Sequence, residues 1–161
     1  MTERKLDRVW DIIDKVGVCM MVTRFAGGMR ARPLEARPDR GTHTIWFVTD
    51  VRGTKDDEVA AHAEVCLVFI DHGAKAYLSL TGRGAVTHDP AQAAAIWKKT
   101  DDAWWGGPED ANVRVLRFDP DRAELWDGPA SAAVAAFEFA KARATGQKPN
   151  LGENRKATVE M

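Results

Sequence analysis

The sequence predicts a small, mainly β protein, an antiparallel barrel with helices around its outside, and three observations predict it. Six short runs of strand-forming residues are bounded by glycine, proline or aspartate. The turns Gly27-Gly28, Asp39-Arg40-Gly41 and Asp71-His72-Gly73 are short enough to join antiparallel neighbours. Helical signals are confined to the start of the chain, two short connections and a late segment, which suits helices at the periphery.

The elements follow in order. Leu6, Val9, Trp10, Ile13 and Val16 recur with helical period behind a Thr2 cap, and Gly17 stops that helix. Residues 18–22 are a continuous apolar run, expected as a strand buried on both faces. After Gly27-Gly28 the chain returns through residues 29–38. Pro33 there cannot donate to a ladder, so this strand is an edge or is broken. Residues 42–50 are the third strand, built on Ile45-Trp46-Phe47-Val48. Thr54, with Asp56, Asp57 and Glu58 behind it, predicts a capped helix to His62.

Residues 65–70 and 75–88 are the next strands, with Gly82-Arg83-Gly84 expected to bulge. Asp89-Pro90-Ala91-Gln92 starts a helix running to near Thr100. An irregular segment with Trp104-Trp105 follows, and then a final strand in two parts, 112–118 and 123–126, interrupted by Asp119-Pro120-Asp121. Residues 129–145 form a helix with Val134 and Phe137 on one face, terminated by Gly146. Residues 1–146 are therefore read as one domain, and 147–161 as a polar tail with little to bury.

Composition narrows the function. A chain of 161 residues can bury a real core. A net charge of −1 gives no field for nucleic acid or an anionic membrane. No apolar run approaches a membrane span, and the first residues lack a signal-peptide apolar region, so a cytoplasmic protein is expected. Cys19 and Cys66 lie in apolar runs and are expected as free thiols. His43, His62, His72 and His88 lack a paired ligand spacing, so no metal site is expected. There is no nucleophile elbow, dinucleotide fingerprint or Walker loop.

The chemistry concentrates between Met29 and His62. Arg30 and Arg32 fall on one strand face and Arg37 on the other, with Arg40 in the next turn. They read either as solvated edge charge that discourages strand pairing or as cations facing a ligand. Arg52-Gly53-Thr54-Lys55 reads either as an ordinary turn before a helix or as a phosphate seat. The second reading rests on the unpaired N–H groups and partial positive charge of a helix start.

The order Arg32-Pro33-Leu34, then Trp46-Phe47-Val48-Thr49-Asp50, then Thr54-Lys55 resembles the FMN-binding split-barrel family, whose type member is pyridoxamine 5′-phosphate oxidase. Within that family the general stress protein 26 branch is the most similar. The resemblance runs from Leu6 to Leu125-Trp126-Asp127, and the segment 151–156 is also similar. It implies a six-stranded antiparallel split barrel with peripheral helices, forming a homodimer with FMN at the subunit interface; FAD or a deazaflavin stays open. It also implies that Arg32 and the backbone of Pro33, Leu34 and Glu35 line the flavin ring, with Arg32 donating to its polar edge. Val48 and Thr49 would continue that wall, and Lys55, with Thr54 and Arg52, would take the phosphate. Trp126 would lie near the partner subunit's flavin. Trp104 and Trp105, large aromatics in a loop, are read from their own position as a lid or dimer contact.

Two departures matter. The branch carries serine two positions before the lysine, where this chain has Gly53. The Arg-x-His element that holds the oxidase substrate has no counterpart, since the last histidine is His88. The expectation is thus an FMN-binding stress-type protein, a flavin-dependent oxidoreductase on an unknown small substrate but not a true pyridoxamine 5′-phosphate oxidase. The alternatives are a non-enzymatic flavin-storing protein and a barrel module that binds an acidic partner.

Overall fold

The fold is that of a computed structural model, which describes residues 2–128, 132–148 and 155–161. The Thr2 side chain expected as a cap, the helix start at Pro129, the Val134 side chain, and residues 151–154 with the side chains of 155 and 156 fall outside what it describes. The elements run α1 (Thr2–Val16), β1 (Val18–Phe25), β2 (Gly28–Glu35), β3 (Arg37–Asp39), β4 (Thr44–Asp50) and α2 (Lys55–Ala61). They continue with β5 (Glu64–Asp71), β6 (Ala76–Thr87), α3 (Pro90–Ile96), a 3₁₀ turn (Lys99–Ala103), β7 (Val113–Asp127), α4 (Ala132–Thr145) and β8 (Arg155–Glu160).

The strands form one antiparallel sheet in the order β2-β1-β5-β6-β7-β4-β3, with β8 added beside β7. The two ends of that path, β2 and β3, are consecutive in the chain and joined through Ala36. The sheet therefore curls until its ends meet at one residue, without a ladder between them. This is the expected antiparallel split barrel with flanking helices, with eight strands among the described residues rather than six.

The two extra strands have local causes. The 29–38 stretch divides at Ala36, one step beyond the Val18–Glu35 pair, where its N–H donates to Gly17 O at 2.7 Å before the chain turns to pair with β4. The tail expected to bury little contributes β8, where Ala157 and Val159 are buried against β7 and Thr158 and Glu160 point out. Two inward residues are too short an alternation to read before the partner strand is known.

Three further expectations change. β1 alternates instead of being buried on both faces: Cys19, Met21 and Thr23 point inward, while Val18 is 52% and Met20 39% exposed. The strand reported as two parts is continuous. Gly82 pairs with Pro120 and Thr81 with Arg122, so the register shift takes up Asp121, and Pro120 sits where no N–H is needed. A Cβ on Gly82 would lie 2.2 Å from Asp119 O, which fixes glycine at that bulge. Finally, α3 stops at Ile96, and the 3₁₀ turn replaces its expected last turn. Its start is as expected, with Asp89 Oδ1 accepting from Gln92 N at 3.0 Å and proline in the first turn.

The main core fills the barrel. Phe47, Phe69 and Phe118 are fully buried with Met21, Leu67 and Leu80, and Val9, Trp10, Ile12 and Ile13 of α1 close one side. A second, smaller cluster lies outside β4 and β7, where Val48, Val113 and Val115 pack with Ala93, Trp97 and Trp105. That outer cluster holds the segment 97–105 against β4, and this is what builds the walls of the site. No helix among the described residues is long and apolar enough to cross a membrane.

Candidate functional site

The site is organised by Glu58, in the first turn of α2, whose side chain is only 6% exposed. Thr23 Oγ1 of β1 donates to its Oε2 at 2.5 Å, and Arg32 Nη2 of β2 donates to the same oxygen at 2.6 Å. Its Oε1 receives Thr54 Oγ1 at 2.9 Å and lies 3.1 Å from Arg30 Nη1. Arg32 Nη1 also donates to Thr23 Oγ1 at 2.8 Å. One carboxylate thus ties β1, β2 and α2 together. Burial pushes the Glu58 carboxyl up, but the hydrogen bonds from Thr23, Arg32 and Thr54 outweigh it and hold the group at about 2, below its ordinary 4.5.

On the other face of β2 lies a cavity of about 470 Å³. Its walls are Pro33, Leu34 and Glu35 of β2, facing Val48, Thr49 and Asp50 of β4. Lys55 enters at the start of α2, Trp104 and Trp105 cover one side, and Arg37 with Asp101 forms a further wall. Six of the residues expected at a cofactor therefore converge: Pro33, Leu34, Glu35, Val48, Thr49 and Lys55.

The other four do not line it. Arg32 and Thr54 are committed to Glu58, so Thr54 makes no side-chain cap on α2. Arg52 folds back on Asp50, with Nε 2.8 Å from Oδ1, and that contact holds the Asp50 carboxyl well below the usual range. Trp126 lies on the far half of β7, in register with Tyr77 of β6 and Lys156 of β8.

Lys55 is half-buried and has no hydrogen-bond or ion-pair partner among the described residues. Burial, with Arg32 nearby, pushes its amine below the ordinary value, although Asp56, Asp50 and Glu58 oppose the shift. It is an ammonium in want of an anion. Arg37 is buried, with Nη2 2.8 Å from Asp101 Oδ1 and 3.5 Å from Glu35 Oε2. Its Nε and Nη1, and the hydroxyl of Thr49, have no protein partner. Each such buried group costs about 1–3 kcal/mol when left unsatisfied, and native structures keep few of them.

Alternation correctly put Arg37 on the face opposite Arg30 and Arg32. Its partner was not foreseeable, because Asp101 arrives from a 3₁₀ turn 64 residues away, with its Oδ2 fixed by Lys98 N at 2.9 Å. Asp50 was likewise missed; it accepts from Trp105 Nε1 at 3.0 Å and so anchors the aromatic loop to β4. Arg30, Arg32, Arg37 and Arg40 all make ion pairs within the chain.

The sequence profile of the pyridoxamine 5′-phosphate oxidase-like family matches residues 4–150. The chain belongs to that family. A crystal structure assigned as a general stress protein 26 from Jannaschia sp. CCS1 is 27% identical over all of both chains, with a TM-score of 0.76. The general stress FMN/FAD binding protein of Xanthomonas citri is 25% identical over 78% of this chain and 90% of its own, with a TM-score of 0.71. These relatives put the chain on the general stress protein 26 branch. A Clostridium acetobutylicum protein related to general stress protein 26, 19% identical over 79% of this chain and 91% of its own (TM-score 0.70), shares the fold. No curated protein matches the sequence.

The Glu58 network makes a pH-dependent prediction. Glu58→Gln leaves Arg30 and Arg32 facing a neutral amide, and near pH 7 it should cost about 3 kcal/mol of stability. Because the folded carboxyl titrates at about 2 and not 4.5, its contribution is full above pH 4.5 and is lost as pH falls towards 2. Urea unfolding of both proteins should show the gap closing across that window. A gap that stays constant down to pH 2 would mean the charge on Glu58 is not what matters.

Proposed function

We propose that this protein binds FMN in the 470 Å³ cavity and uses it as a flavin-dependent oxidoreductase on a small substrate. The observation that carries the reading is Lys55, a half-buried ammonium without a partner beside a cavity of ligand size. The residues present fit the cofactor. Lys55 would take the phosphate, while Pro33, Leu34, Glu35 and Val48 would flank the ring. Thr49 and Arg37 would complete the wall, with an unpartnered hydroxyl and unpartnered N–H groups buried behind it. Arg32 then acts at one remove, by fixing β2 against α2 through Glu58. A bound flavin supplies one- and two-electron transfer, which no side chain here provides. Trp104 and Trp105 would shield that chemistry from water. The FMN/FAD-binding relative from Xanthomonas citri supports the same reading.

The site is completed in a homodimer, as the resemblance implies. The outer sheet face leaves Val18, Met20, Ile70 and Tyr77 exposed, with Ile70, Tyr77 and Trp126 in register on β5, β6 and β7. An apolar face of this kind suits a second copy, whose flavin Trp126 would approach. Sedimentation velocity should give a dimer at micromolar concentration; a monomer there would remove the dimer from the account.

Lys55→Ala should weaken FMN binding by about 1.5–3 kcal/mol, the worth of a charge-assisted hydrogen bond, or roughly 10- to 100-fold in Kd. Riboflavin, which lacks the phosphate, should bind wild type and variant equally in a fluorescence titration. Equal loss for both ligands would make Lys55 structural.

The substrate is not pyridoxamine 5′-phosphate, because β7 offers no histidine beside its arginines to help hold a second, dianionic phosphate. A coupled assay for pyridoxal 5′-phosphate and hydrogen peroxide should give FMN-loaded protein no advantage over free FMN. Sustained turnover above that level would return the chain to the oxidase branch.

A further inference from the structure

Phe137 and Phe139 of α4 are 67% and 56% exposed, the two exposed rings of a helix otherwise rich in alanine. They stand two positions apart, about 200° around the helix axis, so no single flat surface covers both. The tether of α4 puts it beside the molecule's other exposed apolar surface. β7 ends at Asp127, β8 begins at Arg155, and those two residues are paired. The chain between them, α4 included, therefore leaves and re-enters the sheet at one point. Trp126, Tyr77 and Ile70 follow in register from there across β7, β6 and β5. Met20 of β1, opposite Val68 of β5, extends the same face. Ile70 is 41% and Tyr77 47% exposed, so α4 leaves this face open within its own chain.

We propose that α4 is an arm that docks on the outer sheet face of a second copy of this chain, each copy covering the other about a two-fold axis. This rests on the homodimer already proposed and names the element that holds it together. The dimensions match: the 14 residues of α4 make a helix about 21 Å long, and the four strands β1-β5-β6-β7 are about 14 Å across. One chain carries both halves of the contact, the apolar helix and the apolar face, so a second copy is the partner that fits. A helix that is apolar on opposite sides is stable when both are buried. A two-fold pair offers two surfaces, the partner's sheet and the partner's own α4, one for each ring. The face also runs up to the flavin cavity. Met20 pairs with Pro33 and Val18 with Glu35, and Pro33 and Glu35 are cavity wall. A partner's arm seated there lies against that wall, so the second copy adds to the site as well as covering apolar surface.

Sedimentation velocity and photo-crosslinking test this without flavin, so the outcome does not depend on whether FMN binds. Phe137→Ser combined with Phe139→Ser should raise the dimer dissociation constant at least 100-fold. Far-UV circular dichroism should stay unchanged, since neither ring belongs to the core. In the second measurement p-benzoylphenylalanine replaces Phe137, and dimers are mixed from ¹⁴N- and ¹⁵N-labelled chains. Mass spectrometry should find crosslinks that join chains of different label and land on β1, β5 or β6. A double-serine variant that dimerises as wild type does, or crosslinks confined to one chain, would overturn the role of α4 and leave the dimer standing. A wild type that is monomeric at micromolar concentration would remove both.

Discussion

A buried carboxylate without donors is among the most costly groups a protein can hold, and Glu58 avoids that cost by collecting four side chains from three directions. The rest of the site depends on this. β2 is the edge of the sheet path and packs little core of its own, so its position relative to α2 is set largely by Arg30 and Arg32 reaching Glu58. Once β2 is fixed there, Pro33, Leu34 and Glu35 are presented to β4 across the cavity, and Lys55, three residues before Glu58, is held at its mouth. The arrangement uses two arginines to hold one glutamate and leaves a nearby lysine unpaired. Among the described residues around the cavity, that lysine is a cation without a hydrogen-bond or ion-pair partner.

Two structural units meet at Arg37. The barrel supplies its backbone through β3, and the outer cluster of α3, the 3₁₀ turn and the paired tryptophans supplies Asp101. Because Asp101 is itself held by Lys98 N and Trp105 by Asp50, the outer segment is locked to the barrel by polar contacts as well as by Val48, Val113 and Val115. The cavity walls therefore belong to both units, and a ligand between them senses their relative position.

Much of this was legible in the residues. The period of α1, the Asp89 cap with Pro90, the glycine bulge at Gly82 and the opposite faces of Arg32 and Arg37 all follow from local geometry that carries over to the fold. Six of the residues that converge on the cavity were named by the family resemblance and not by local geometry. What was not legible depends on partners distant in sequence. Nothing near Arg32 announces Glu58, and nothing near Arg37 announces Asp101, so a guanidinium bound to the protein and one open to a ligand look alike in the sequence. Thr54 has the composition of a cap yet turns to Glu58. β1 misled in another way: its run of Val18, Cys19, Met20 and Met21 is apolar on both sides, but within one chain only one side is buried. β8 needed β7 beside it before two inward residues could count as a strand.

The central claim is that the cavity beside Lys55 is a flavin seat. The most direct measurement is the visible absorption spectrum of the freshly purified protein, with mass identification of whatever it releases on denaturation. The account predicts a flavin spectrum and the mass of FMN at about one per chain, restored by adding FMN to stripped protein. A colourless protein whose spectrum and tryptophan fluorescence ignore added FMN would contradict it.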